Sequence, residues 1–110
     1  LGRITYSFLG IRYILITEKI KEENDLPVDY GAWLIEGDKG EAVVARGSAA
    51  EKAGLKENDI ILEFNNEKIT AENSLAKIII KYNPGDKVAL KILRNSQEKI
   101  IEAILDERSG

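Results

Sequence analysis

The 110-residue chain contains no cysteine and no histidine. The first absence removes disulfides and thiolate metal sites, and the second removes the commonest general base and metal ligand. Its serines, Ser7, Ser48, Ser74, Ser96 and Ser109, have no imidazole to activate them and no G-x-S-x-G elbow around them, so a Ser-His-Asp triad cannot be built. Neither a G-x-x-x-x-G-K-S/T loop nor a G-x-G-x-x-G loop occurs to cradle a phosphate. With 19 acids in the chain, pairs such as Glu22-Glu23 or Glu57 and Asp59 arise by chance and read as solvated surface. The chain is therefore expected to hold no catalytic residue, no metal and no cofactor.

Long apolar runs are also missing. None approaches the roughly 20 residues of a membrane span, and nothing resembles a signal peptide. No face of one sign is offered, because 16 basic and 19 acidic residues are interleaved at a net charge of −3, so nucleic acid is not an expected partner. The cluster from Glu18 to Asp25 mixes both signs and reads as a solvated helix face. What remains is 44% apolar and 32% charged, the balance of one folded domain over residues 1–110. Because methionine is absent and the first residue is Leu1, this domain is expected to be a segment of a longer protein.

Phe8 to Ile16 is rich in β-branched and aromatic residues and reads as a strand, with Ile11, Tyr13 and Leu15 on one face and Ile14 and Ile16 on the other. Both faces are apolar, so each must meet something other than water. Thr17 is placed to cap a short helix over Glu18 to Glu23 that ends by Pro27. Further strands are expected over Gly31 to Ile35 and Ala42 to Ala45, on either side of a turn at Glu36 to Glu41. Ser48-Ala49-Ala50-Glu51 is a capping box for a second short helix, closed by Gly54 with Leu55 folding back on it. Asp59 to Phe64 and Glu67 to Ile69 flank a tight Asn65-Asn66 turn. Thr70 then caps the main helix, Ala71 to Tyr82, stopped by Pro84-Gly85, and Lys87 to Arg94 with Glu98 to Asp106 makes a closing hairpin around Asn95-Ser96. The sum is an α+β plan of about six strands with one long and two short helices, the sheet curling over itself.

Two features suit a ligand. In Phe8-Leu9-Gly10-Ile11 a glycine stands between apolar residues just before a strand, where the absent Cβ lets successive backbone N–H groups converge on a carboxylate. A glycine that simply opens a strand is the plainer account. On the main helix, Leu75, Ile79 and Tyr82 form a stripe for the core, while Ser74, Ile78 and the stem of Lys81 form a second. If the second stripe faces Leu9, Ile11 and Tyr13, a groove opens for a peptide that adds as a β-strand; otherwise Ile78 only widens the core face.

Three segments together resemble a PDZ domain of the kind carried by bacterial trypsin-like serine proteases of the HtrA (DegP/DegS) family. Phe8-Leu9-Gly10-Ile11 resembles that family's carboxylate-binding loop. Gly47-Ser48-Ala49-Ala50-Glu51-Lys52-Ala53-Gly54-Leu55-Lys56-Glu57-Asn58-Asp59-Ile60-Ile61-Leu62 resembles its G-S-P-A-x-x-A-G-L-x-x-G-D-I-I-L stretch, and Phe64 to Ile69 its V-N-G-x-x-I segment. The likeness runs from about Arg3 to Asp106 and departs at Ala49, Asn58 and Asn66, which are cap and turn positions.

The resemblance implies a PDZ-like, partly open β-barrel or sandwich. By position, the amides of Leu9, Gly10 and Ile11 would hold a ligand's terminal carboxylate, with Arg3 assisting. Leu9, Ile11, Tyr13 and Ile78 would line the pocket for its last side chain, Phe8 and Lys81 would flank the groove, and Ser74 would face the residue two before the ligand's end. The implied partners are apolar C-termini of substrates or misfolded proteins and an attached serine protease domain, working in protein quality control in the periplasm or cell envelope of a bacterium. The alternatives are a groove used for oligomerisation and a PDZ module of another processing protease.

Overall fold

A computed structural model describes the backbone of residues 5–35 and 42–109, and side chains over 9–35 and 42–107. Arg3, the side chain of Phe8 and the turn at Glu36 to Glu41 lie outside the described residues.

The expected strand over Phe8 to Ile16 is divided. Strand β1 (Thr5–Phe8) ends where Gly10 turns to φ 82°, and the chain resumes as β2 (Ile14–Leu15). Helix α1 (Glu18–Asn24) follows, with the Thr17 hydroxyl accepting from the Ile20 amide as the cap rule requires. After β3 (Ala32–Trp33), the strand expected over Ala42 to Ala45 is only a single bridge between Val44 and Ile11. Helix α2 (Ala49–Ala53) carries the capping box: Ser48 Oγ accepts from the Glu51 amide, and Glu51 Oε1 reaches back to the Gly47 amide at 2.8 Å. The Leu55 amide returns to the Ala50 carbonyl and the Leu55 side chain is buried, which closes the helix as read.

Strands β4 (Ile60–Phe64) and β5 (Glu67–Lys68) flank Asn65 and Asn66, both at positive φ. Helix α3 (Leu75–Ile79) is much shorter than the expected Ala71 to Tyr82, and its cap is Ser74 rather than Thr70. Thr70 instead accepts from the Asn73 amide and donates its own amide to the Asn73 carbonyl, which closes a turn ahead of the helix. At the other end three consecutive isoleucines crowd the helix, and the Lys81 and Tyr82 amides bond three residues back rather than four. Strands β6 (Lys87–Arg94) and β7 (Gln97–Ile104) form the expected hairpin, with Asn95 and Ser96 at positive φ.

The last strand does not run on to Asp106 as expected. Leu105, with a buried side chain, bonds the Gly85–Asp86 turn through both its amide and its carbonyl, and the chain restarts as β8 (Asp106–Ser109). Strand β8 pairs antiparallel with β1 in a separate two-stranded sheet, so the two ends of the described chain lie together. The larger sheet runs β2-β3-β4-β6-β7, with β5 on β4.

Alternation fills both faces of that sheet. Val88, Leu90 and Ile92 enter the main core with Phe64, Leu75 and Ile78, while Ile16, Ile60 and Leu62 form a second cluster on which Leu26, Val28 and Trp33 pack. Ile61 and Phe64 both reach the main core although three residues apart, because a bulge sets Ile61 and Glu63 against the adjacent Ile92 and Lys91 and shifts the phase.

One charged pair is built into this frame. Asp59, 2% exposed, accepts from Arg94 Nε at 2.9 Å and Nη2 at 2.7 Å, and also from the Lys56 amide. The same Nη2 donates to the Gly54 carbonyl, so one guanidinium joins the end of α2, the start of β4 and the end of β6. Pairing with Asp59 raises the Arg94 pKa above its already high value.

Arg94→Ala should therefore strand a buried carboxylate and cost about 3 kcal/mol in chemical denaturation. Lys87→Ala, which removes an exposed partner 4.0 Å from Glu102, should change stability by no more than about 0.5 kcal/mol. Gly31 sits at φ 106° with an added Cβ only 2.9 Å from the Ile61 carbonyl oxygen. Gly31→Ala is expected to lose about 2 kcal/mol or more by the same measurement.

Candidate functional site

Strand β2 ends the larger sheet, so one of its long edges has no partner strand among those described. The chain leading into it is held from the opposite side. The Leu9 carbonyl accepts from the Ala50 amide at 2.9 Å, and the Gly10 carbonyl accepts from the Ala45 amide at 2.9 Å. These peptide bonds are trans, so the amides of Gly10 and Ile11 point away from the carbonyls they share a plane with. No backbone carbonyl among the described residues takes the amide hydrogens of Leu9, Gly10 or Ile11. The left-handed Gly10 makes this turn sterically cheap, and successive amides presented this way have the arrangement that an anion site requires.

The edge beyond is polarised in the same sense. Arg12 and Ile16 donate their amides inward, to the Val43 and Gly31 carbonyls. Alternation along an extended chain turns the amides of Ile11, Tyr13 and Leu15 the other way, toward the open edge. An extended peptide could pair there without displacing any bond described.

Helix α3 forms the opposite wall. Leu9 and Ile78 share the main core with the partly buried Ile11 and Tyr13, so the expected apolar residues do meet. Leu9 is 3% exposed and Ile78 0%, which means that these side chains fill the slot themselves. A ligand side chain can enter only as they move apart. Ser74 is partly exposed at the helix start, and its Oγ accepts from the Lys77 amide. The Lys81 ammonium turns away to Glu67 on β5, at 2.6 and 2.7 Å, leaving only its stem beside α3. That bond holds the Glu67 carboxyl below its ordinary pKa. Burial raises the Tyr13 pKa, an effect partly offset by the nearby backbone of Ala76.

Phe8 is placed through its backbone alone, opposite Asp106 in the β1–β8 pair. Sequence reasoning passed over Ala45 and Ala50, whose backbone amides anchor the loop, and Asp106, whose carboxylate accepts from the Ala49 amide at 2.6 Å. Backbone anchors leave no side-chain signal, and an aspartate 57 residues from its partner has no local one. Among the described residues, no group of three or more Asp or Glu side chains could hold a metal ion.

Comparison with known proteins gives this geometry a context. The PDZ domain family matches residues 7–105. The periplasmic pH-dependent serine endoprotease DegQ of Escherichia coli is 33% identical over 105 residues, covering 96% of this chain and 22% of that protein. A probable periplasmic serine endoprotease, DegP-like, of Chlamydia trachomatis is 32% identical over 96 residues, covering 87% of this chain and 18% of that protein. The chain thus spans only about a fifth of these relatives' length.

Among solved structures, the HtrA3 PDZ domain bound to a phage-derived ligand superposes with a TM-score of 0.76 at 22% identity, covering 99% of this chain and 93% of that one. The HtrA-type protease AlgW with a decapeptide gives 0.75 at 23%, covering 94% of this chain and 30% of that one. The α+β, PDZ-like architecture read from the sequence is thereby borne out. The chain belongs to the PDZ domain family, and as the part of its relatives that carries this fold it is a non-catalytic domain.

Proposed function

We propose that this domain captures apolar C-termini of other polypeptides by β-strand addition along the free edge at Ile11 to Leu15. The observation that carries the reading is the backbone of Leu9 and Gly10, whose carbonyls are tied to Ala50 and Ala45 while the neighbouring amides meet no backbone carbonyl among the described residues. A terminal carboxylate would accept from the amides of Leu9, Gly10 and Ile11, with Arg3 as a further cation. The last side chain would part Leu9 from Ile78 and rest on Ile11 and Tyr13. Phe8, Ser74 and the stem of Lys81 would border the rest of the peptide.

The domain is proposed to serve as the substrate-recognition or regulatory part of a longer serine endoprotease working outside the cytoplasm of a bacterium. Supporting this are relatives named as periplasmic serine endoproteases and solved relatives of this fold that hold a phage-derived ligand or a decapeptide. Exposed apolar C-termini of damaged or misassembled proteins are the substrates this groove chemistry suits.

Affinity should be in the micromolar range, about −8 kcal/mol, since a short peptide buries little area and is ordered on binding. Calorimetric titration of a peptide ending in valine or leucine should show binding that weakens at least about tenfold when the terminus is amidated, because hydrogen bonds to a charged acceptor contribute most of the discrimination. Equal affinity for the two forms would refute the carboxylate site.

A further inference from the structure

Tyr13 occupies ground that a bound peptide needs. The ring packs against the main core, and the phenol lies close enough to the Ala76 backbone, in the first turn of α3, to feel it electrostatically. The side chain therefore reaches from the edge strand to the helix, across the floor of the groove between them. Residue spacing gives the part of the ligand concerned. Tyr13 lies two residues along the edge from Ile11, and antiparallel neighbours advance in step, so a peptide anchored at Leu9 to Ile11 brings the residue two before its end beside the phenol.

Neither wall yields easily at this point. The first turn of α3 has amides with no partner inside the helix; Ser74 Oγ takes that of Lys77, and the Tyr13 phenol lies beside the backbone of Ala76. Swinging the phenol away would uncover the apolar core against which it packs. The far end of α3 is held as well, by Tyr82 with its ring centroid 5.1 Å from that of Phe64 and by Lys81 bonded to Glu67. Ser74, whose oxygen is committed to capping, sits at the rim and offers no bulk to exclude anything.

We propose that Tyr13 is the specificity-determining residue of the groove, admitting a C-terminal strand only when the ligand residue two before the terminus is small, such as glycine, alanine or serine, and excluding large branched or aromatic side chains there. This rests on the C-terminal binding mode proposed above and adds to it a filter located on the strand wall rather than on the helix. The phenol stays uncharged at neutral pH, its pKa being raised by burial, so the filter should not vary between pH 6 and pH 8.

The test uses free-acid peptides identical except for alanine or leucine at that position, with an amidated alanine peptide alongside, titrated into the domain. The wild-type domain should favour alanine over leucine by at least about tenfold, equivalent to about 1.4 kcal/mol. In Tyr13→Ala the ratio should fall to within about threefold through tighter binding of the leucine peptide, with the preference for the free acid retained. Tyr13→Phe keeps the ring and removes only the hydroxyl, and its ratio should lie between those of wild type and Tyr13→Ala; it remains informative should the alanine variant not fold. A wild-type domain indifferent to the substitution, or variants that keep the full preference, would overturn the filter while leaving C-terminal capture intact. Equal binding of the amidated peptide by wild type would remove the binding mode itself.

Discussion

The first turn of α2 is the joint on which the molecule closes. Its amides have no acceptors within the helix, and each is taken by a different part of the chain: Ala49 by the Asp106 carboxylate, Ala50 by the Leu9 carbonyl and Glu51 by the Ser48 hydroxyl. The start of β8 and the loop after β1 are thereby fixed to one spot, and these two strands pair with each other. At the other end of the helix the Gly54 carbonyl accepts from Arg94, which holds the buried Asp59. A five-residue helix could not persist alone in water, so its order comes from what is bonded to its two ends.

That joint also orients the candidate site. Pulling the Leu9 carbonyl toward Ala50 turns the next amide the other way, and the Gly10 carbonyl, drawn to Ala45, does the same for Ile11. The outward set of these amides, on which the proposed carboxylate site depends, is thus a by-product of anchoring. Beside it, the outer edge of β2 meets no strand among the described residues, a feature that isolated sheets usually cover. Here the two residues of β2 and the short stretch before it keep that edge brief, and the apolar slot is closed by Leu9 and Ile78.

Membership of the PDZ family fits the proposed reading, in which main-chain groups supply affinity and a few side chains decide which ends are accepted. The polar contacts that surround the groove are spent on shape. Ser74 caps, Lys81 neutralises Glu67, and the Tyr13 phenol sits beside the first turn of α3. Under the proposed function, binding and stability draw on the same groups, so a substitution in the groove is to be judged by its effect on both.

What the sequence by itself determined was local. The Thr17 cap, the Ser48 and Glu51 box, the positive-φ asparagines of two tight turns and the alternation of β6 were legible because each acts over four residues or fewer, or through a strict two-residue period. The lack of histidine and cysteine likewise settled which chemistries were out of reach. Tertiary structure alone decided the rest: the pairing of β1 with β8, the break at Gly10, the bulge in β4, the shortening of α3 from Thr70 to Ser74 as its cap, and the burial of Leu9 and Ile78 that shuts the slot. Each of these depends on a partner far along the chain, and between two competent caps or two faces of a helix only the surface that arrives opposite makes the choice.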